Sequence, residues 1–385
     1  MVSTLRSRRL AGLALALSLV ACGHSAPRVA AAPATAPATS SPQFAQLVAQ
    51  LSEPGGYFDS DNLITNETSY LHVIGGLRRN GVQGGAYVGV GPDQSFSYIA
   101  TIRPAVAFML DIRRDNMLEH LMFKALFAGA RNRAEFLALL TGRPAPADVA
   151  AWGERTIADL VAYVDSTRIT PQSAAAARAL VRDGVRRTGV ALDSNDLATI
   201  ARFHEEFIGN GLDIRYESLS RPGRGGYFPG LRELLLARDL DGAQSGYLAR
   251  EDAFQFVKGL EARDLVIPVT GNLAGAHALA AVGDYARTHG LVVSALYTSN
   301  AEDYMMRDGS FPNFARTVAT LPRDAHSVII RSYFNGFRGT HPQSVPGFRS
   351  TQLLQSLNAF AATVAKGGYV DYYQLVTDGT LALVP

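Results

Sequence analysis

The stretch that most constrains the fold is Gly85-Ala86-Tyr87-Val88-Gly89-Val90-Gly91-Pro92-Asp93. It is a short apolar run, closed by glycines, that leads straight into a helical pattern. Its length suits a buried strand and is too short for an ordinary helix. Pro92 fits a first helical turn, where its missing N–H costs nothing, and Asp93 faces the positive helix end. Phe96, Ile99 and Ala100 supply one apolar face. Arg103-Pro104 then closes the helix, because proline disfavours a helical residue before it. A second strand is expected over Val106 to Leu110, with Asp111 directly after it, and a helix from Asp115 to Phe127.

The same alternation returns further along. Strands are expected over Leu212 to Tyr216, Leu265 to Val269, Leu291 to Leu296, Ser327 to Ser332 and Tyr369 to Leu375. Helices are expected over Leu273 to Thr288 and Ser350 to Ala365, and residues 132–207 read as a helical insertion. Strands separated by crossover helices imply an α/β, doubly wound, mostly parallel, Rossmann-like sheet. Ligands of such sheets lie beyond the carboxyl ends of the strands. The loops to inspect are therefore 89–95, 111–116, 270–275 and 297–304.

The N-terminus specifies an address. Arg6, Arg8 and Arg9 precede an apolar run from Leu10 to Val20, too short to span a bilayer. Leu19-Val20-Ala21-Cys22 resembles the bacterial lipobox, which implies removal of residues 1–21 and lipidation of Cys22. The expected product is a lipid-anchored protein of the bacterial cell envelope, facing the periplasm. Residues 22–43, rich in Ala, Pro, Ser and Thr, read as a tether, and 44–385 as one α/β domain. Removing residues 1–21 takes three arginines and no acid, so the formal charge of +2 becomes −1. That balance argues against a nucleic-acid partner. With Cys 1 in the whole chain, disulfides, cysteine nucleophiles and thiolate metal sites are excluded from the folded part.

Candidate site residues come from the crevice loops. Gly89 and Gly91 allow close backbone approach to a ligand. Asp111 suits a carboxylate that accepts two ribose hydroxyls, or one that simply pairs with Arg113 or Arg114. Arg113 suits bidentate recognition of a carboxylate. Asp93 and Gln94 either cap the first crevice helix or face a ligand amine. Asn66 and Glu67, in the polar segment Phe58 to Glu67, read as parts of a cover over the crevice. Thr270, Asn272, Tyr297, Ser299 and Asn300 stand at strand ends, with Glu302 and Asp303 suited to acid–base work or a helix first turn. Phosphate-binding loops, zinc-protease pairs and nucleophile elbows are all missing, and no metal site is expected.

Gly85-x-x-x-Gly89-x-Gly91, the helix opened by Asp93, and Asp111 after the second strand together resemble a class I methyltransferase-like domain. The resemblance covers residues 85–130 and 260–375. It implies S-adenosylmethionine as cofactor, with Gly89 and Gly91 against its methionine part and Asp111 on its ribose. Gly89-Val90-Gly91-Pro92-Asp93-Gln94 with Asp111-Ile112-Arg113-Arg114 also looks like a family of uncharacterised bacterial proteins, some of them lipoproteins. Two functions remain open at this stage. One is a binding protein holding a small polar or nucleoside-like molecule, and the other is a methyltransferase acting on a small acceptor.

Overall fold

Seven strands form one sheet in the order β3-β2-β1-β4-β5-β6-β7. They are β1 (Ala86–Gly89), β2 (Val106–Asp111), β3 (Val266–Thr270), β4 (Val293–Ser299), β5 (Val328–Phe334), β6 (Ser350–Ser356) and β7 (Thr380–Leu381). The computed structural model describes residues 41–60, 62–217, 228–335 and 339–384. The expected signal segment, Cys22 and the tether up to residue 40 lie outside the described residues.

The first five strands are parallel, and β6 runs antiparallel between β5 and β7. Every residue of β1, β2 and β3 is buried. That burial on both faces is why the runs Ala86–Gly89 and Val106–Asp111 are almost continuously apolar. The chain winds outward from β1 through β2 to β3, then returns to the other side of β1 for β4. The carboxyl ends of β1 and β4 thus flank the point where the winding reverses.

Among the described residues there are fifteen α-helices. Those that position the site are α1 (Ser41–Leu51), α2 (Ile74–Arg79), α3 (Gln94–Ile102) and α4 (Arg114–Gly129). Between β2 and β3 the chain continues through α5 (Arg133–Leu140), α6 (Ile157–Ser166), α7 (Pro171–Arg187), α8 (Ser194–Asn210), α9 (Leu231–Leu236) and α10 (Glu251–Ala262). The remainder are α11 (Ala278–Thr288), α12 (Ala301–Asp308), α13 (Phe311–Thr320), α14 (Leu357–Ala365) and α15 (Tyr372–Thr377). None of the described helices is long and apolar enough to cross a membrane.

Three expectations for secondary structure are corrected. Residues 212–216 form no strand of the sheet; a 3-10 turn leads to a lone bridge between Arg215 and Gly230. Residues 350–356 are a strand rather than the start of a helix. Their polar side chains are buried and bonded: Gln352 to Glu67 and Gln355 to Arg331. Residues 369–375 hold the start of α15, and the last strand is the short β7. Helix α1 begins at Ser41, inside the stretch read as tether, and Phe44 is fully buried.

Glu302, in the first turn of α12, is fully buried against Arg331 of β5 at 2.8 Å. Arg331 Nη1 also donates to Gln355 (2.7 Å), and the Thr298 hydroxyl donates to Glu302 (2.8 Å). These bonds give Glu302 a place in the sheet's far half rather than in acid–base chemistry. Removing one partner of such a pair strands the other charge in the interior. Glu302→Leu should cost about 3–5 kcal/mol in urea unfolding, and adding Arg331→Met should recover most of it.

Candidate functional site

Two short stretches, 52–60 and 62–67, lie across the carboxyl edge of the sheet and wall a crevice. The Glu53 N–H donates to the Thr270 carbonyl (2.9 Å), and the Thr270 N–H donates to the Ser52 hydroxyl (3.1 Å). The Gly56 N–H donates to the Ile112 carbonyl (2.7 Å). The stretch thus takes up backbone groups just where β3 and β2 end. The Glu53 carboxylate accepts from the N–H groups of Asn272 (2.9 Å) and His277 (3.1 Å). It satisfies donors left over before α11, as an anion does at a helix start. A Cβ on Gly275 would run into this carboxylate, so a larger residue there would have to displace Glu53 from these donors.

Beyond Gly56 the chain turns over the ends of β1 and β4. Phe58 meets Tyr304 of α12 edge-on, with ring centroids 5.5 Å apart. The Arg113 guanidinium donates to the Ser60 carbonyl (3.0 Å), and the Ser60 hydroxyl donates to the Glu217 carbonyl (2.7 Å). The enclosed space is about 300 Å³, at the small end of ligand cavities, which run from ~300 to 1,000 Å³.

Glu67 forms the floor. It is 1% exposed, and its side-chain donors are all neutral: the hydroxyls of Tyr297 (2.8 Å) and Ser299 (2.5 Å) and the amide of Gln352 (2.5 Å). Ser299 adopts a left-handed backbone, φ 53°, where pairing between β4 and β5 shifts register. A residue other than glycine held there costs of order 1–3 kcal/mol, and the strain aims its hydroxyl at Glu67. Burial, with the Glu67 charge beside it, pushes the Tyr297 hydroxyl well above its ordinary range, so Tyr297 stays a donor. Tyr297 in turn accepts from Gln94 Nε2 (3.1 Å).

The glycine turn and Asp111 meet as one unit. Asp111 accepts from the Gly91 N–H (3.2 Å), the Arg113 N–H (3.0 Å) and the Arg113 guanidinium at both oxygens (3.2 and 3.3 Å). Gly91 has φ 78°, the conformation that directs its N–H onto that carboxylate. Four donors saturate Asp111, so a ribose could bind it only by displacing Arg113. Arg114 points elsewhere and pairs with Asp196 of α8 at 2.7 Å.

Of the residues expected from sequence, Asn66, Glu67, Gly91, Gln94, Asp111, Arg113, Asn272 and Asn300 line the crevice. Four others take different places. The Tyr87 side chain fills the space that a Cβ on Gly89 would need (2.4 Å from its hydroxyl), so Gly89 serves packing rather than ligand approach. Asp93 accepts from the Tyr247 hydroxyl (3.2 Å) and borders a separate small void behind α3. Thr270 is buried beneath the 52–60 stretch, and Tyr297 stands behind the floor, touching the crevice only through its partners.

Several site residues had no signal in the sequence. Tyr57, Phe58, Tyr216 and Tyr304 form an aromatic mouth, drawn from three distant segments. His120 of α4 bonds the Gly91 carbonyl at 3.0 Å and holds the glycine turn from below. Its spacing on α4 marks it only as a core position, which it also is. No group of described residues could hold a metal ion.

Residues 63–188 and 226–381 match a sequence family described as a domain of unknown function, DUF7790. The matched segments include the crevice floor, whereas Tyr57, Phe58 and Tyr216 of the mouth fall outside them. No curated protein matches the chain.

His120 and His72 are both buried, and burial lowers each from 6.5 to about 4. A lowered histidine contributes stability that is complete above 6.5 and lost as pH falls through 4. Asp93 acts oppositely: burial raises it to about 6, so its contribution holds at low pH and is lost as pH rises through 6. The melting temperature should therefore fall on acidification from pH 6.5 to 4, and His120→Gln, which keeps a donor for Gly91, should flatten that decline. A decline of equal depth in the variant would show that His120 does not drive it.

Proposed function

Taking as premise that the chain belongs to the DUF7790 family, whose function its description leaves unknown, we propose that it is a binding protein for a small polar molecule. The observation that carries this reading is the crevice of about 300 Å³ at the carboxyl ends of β1, β2 and β4. Its position is where doubly wound sheets hold ligands, and its wall mixes aromatic faces with fixed polar groups. We read residues 132–207 as a helical insertion on this α/β core, outside the recognition chemistry.

The nucleoside reading is weaker. A methyltransferase-like use of S-adenosylmethionine calls for an Asp111 open to ribose hydroxyls, whereas its oxygens already accept from Arg113 and Gly91. S-adenosylmethionine and S-adenosylhomocysteine should leave the melting temperature unchanged at saturation. A saturable rise abolished by Asp111→Ala would restore the methyltransferase reading.

Binding itself is tested by native mass spectrometry of the protein equilibrated with a metabolite extract. A retained small molecule is expected, and Asn300→Trp, which fills the crevice from the edge of α12, should eliminate it. Retention unchanged in that variant would place the ligand elsewhere.

We further propose that the protein is carried on the cell envelope by a lipid on Cys22, and that the Ala- and Pro-rich segment spaces the crevice from the membrane. Intact mass of membrane-extracted protein should show loss of residues 1–21 and an added acyl mass, both absent in Cys22→Ala.

A further inference from the structure

We infer that the ligand of this crevice carries a protonated amine, held between Glu67, Gln94 and the acidic lip at Asp308. The inference rests on the crevice-binding reading above and adds the chemical class of the ligand.

Hydrogen-bond polarity carries the argument. Tyr297 gives its single hydroxyl hydrogen to the Glu67 carboxylate. The Tyr297 oxygen is then an acceptor, which requires Gln94 to present Nε2 to it. That choice leaves Gln94 Oε1 buried with no hydrogen-bond partner among the described residues, on a side chain that is 5% exposed and stands between the crevice and the small void behind α3. On the far side, Gln352 donates from its amide nitrogen to Glu67 and to the Tyr98 hydroxyl, while its carbonyl accepts from Ser332. Tyr297, Ser299 and Gln352 all donate to Glu67, and the group left over on Gln94 is an acceptor. A buried acceptor without a donor costs about 1–3 kcal/mol, so a ligand that reaches Gln94 gains by donating a hydrogen to it.

Charge selects among donors. The lining holds Glu67, Asp111 and Asp308, against Arg113 as its one cation among the described residues. Arg113 is committed to Asp111, which leaves Glu67 without a positive partner in its own bonds. Arg307, near the mouth, is bonded to Asp303 and lies over the Tyr304 ring. An anion would meet a carboxylate that has no cation among its own bonds. A neutral donor would satisfy Gln94 and leave the charge unbalanced. An ammonium group supplies both the hydrogens and the charge, and Tyr57, 77% exposed at the mouth, offers a face to the same cation.

The test is calorimetric titration of the purified protein with three probes of matched length: 4-aminobutan-1-ol, butane-1,4-diol and butanedioate. The amine should bind at least about tenfold more tightly than the diol, with butanedioate weakest. Glu67→Gln should erase the preference for the amine. Should that buried variant not fold, Asp308→Asn at the exposed lip serves instead, with amine affinity reduced several-fold at unchanged melting temperature. The inference is overturned if the diol or butanedioate equals the amine, or if the preference survives in Glu67→Gln and Asp308→Asn alike. It is also overturned if a metabolite captured from extract contains no amine. Diol or butanedioate binding as tight as the amine's, and abolished by Asn300→Trp, sinks the amine and leaves the crevice reading standing. No binding of any probe, together with no captured metabolite, sinks both.

Discussion

A carboxylate buried among neutral donors organises this half of the molecule. Glu67 brings a residue from before the first strand into contact with Tyr297 and Ser299 at the end of β4 and Gln352 of β6. Because a carboxylate only accepts, it dictates the orientation of each neighbour. Tyrosine and serine must point their hydrogens inward, and the two glutamines must turn their amide nitrogens the same way. The left-handed turn at Ser299 persists against its cost because that hydroxyl has a fixed partner.

The stretch carrying Glu67 does a second task upstream. Glu53 and Gly56 occupy the N–H and carbonyl groups where β3 and β2 end, and Glu53 caps the turn leading to α11. One end of the sheet's carboxyl edge is therefore closed by the protein's own anion and backbone. The edge above β1 and β4 stays open, since Asp111 and Arg113 neutralise each other beside it instead of crossing it. Closure on one side and an opening at the winding reversal confine the crevice to a volume suited to a small molecule.

Much of the parallel core was legible in the sequence because buried strands need continuous apolar runs. The β1 turn, β2 with Asp111 at its end and β3 follow that rule within a residue, and β4 runs three residues further than expected, to Ser299. Strand β6 escaped it, since Ser350, Gln352 and Gln355 look like surface positions until Ser69, Glu67 and Arg331 appear beside them. The site divides the same way. Gly91, Gln94, Asp111 and Arg113 are close in sequence to recognisable strand ends. The aromatic mouth is not, because Tyr57, Tyr216 and Tyr304 have no common periodicity.

By itself the sequence determined the α/β class, a mostly parallel sheet and the loops at its rim. Those follow from local periodicity, glycine conformations and the rule that parallel strands require crossovers. Tertiary structure alone decided what each polar side chain does. Asp111 became the partner of Arg113, Asp93 turned to Tyr247, and Glu67 came to rest without a cation. The physical reason is that a polar group's role depends on which donors and acceptors reach it after burial, and for Asp93 and Glu67 those arrive from distant segments.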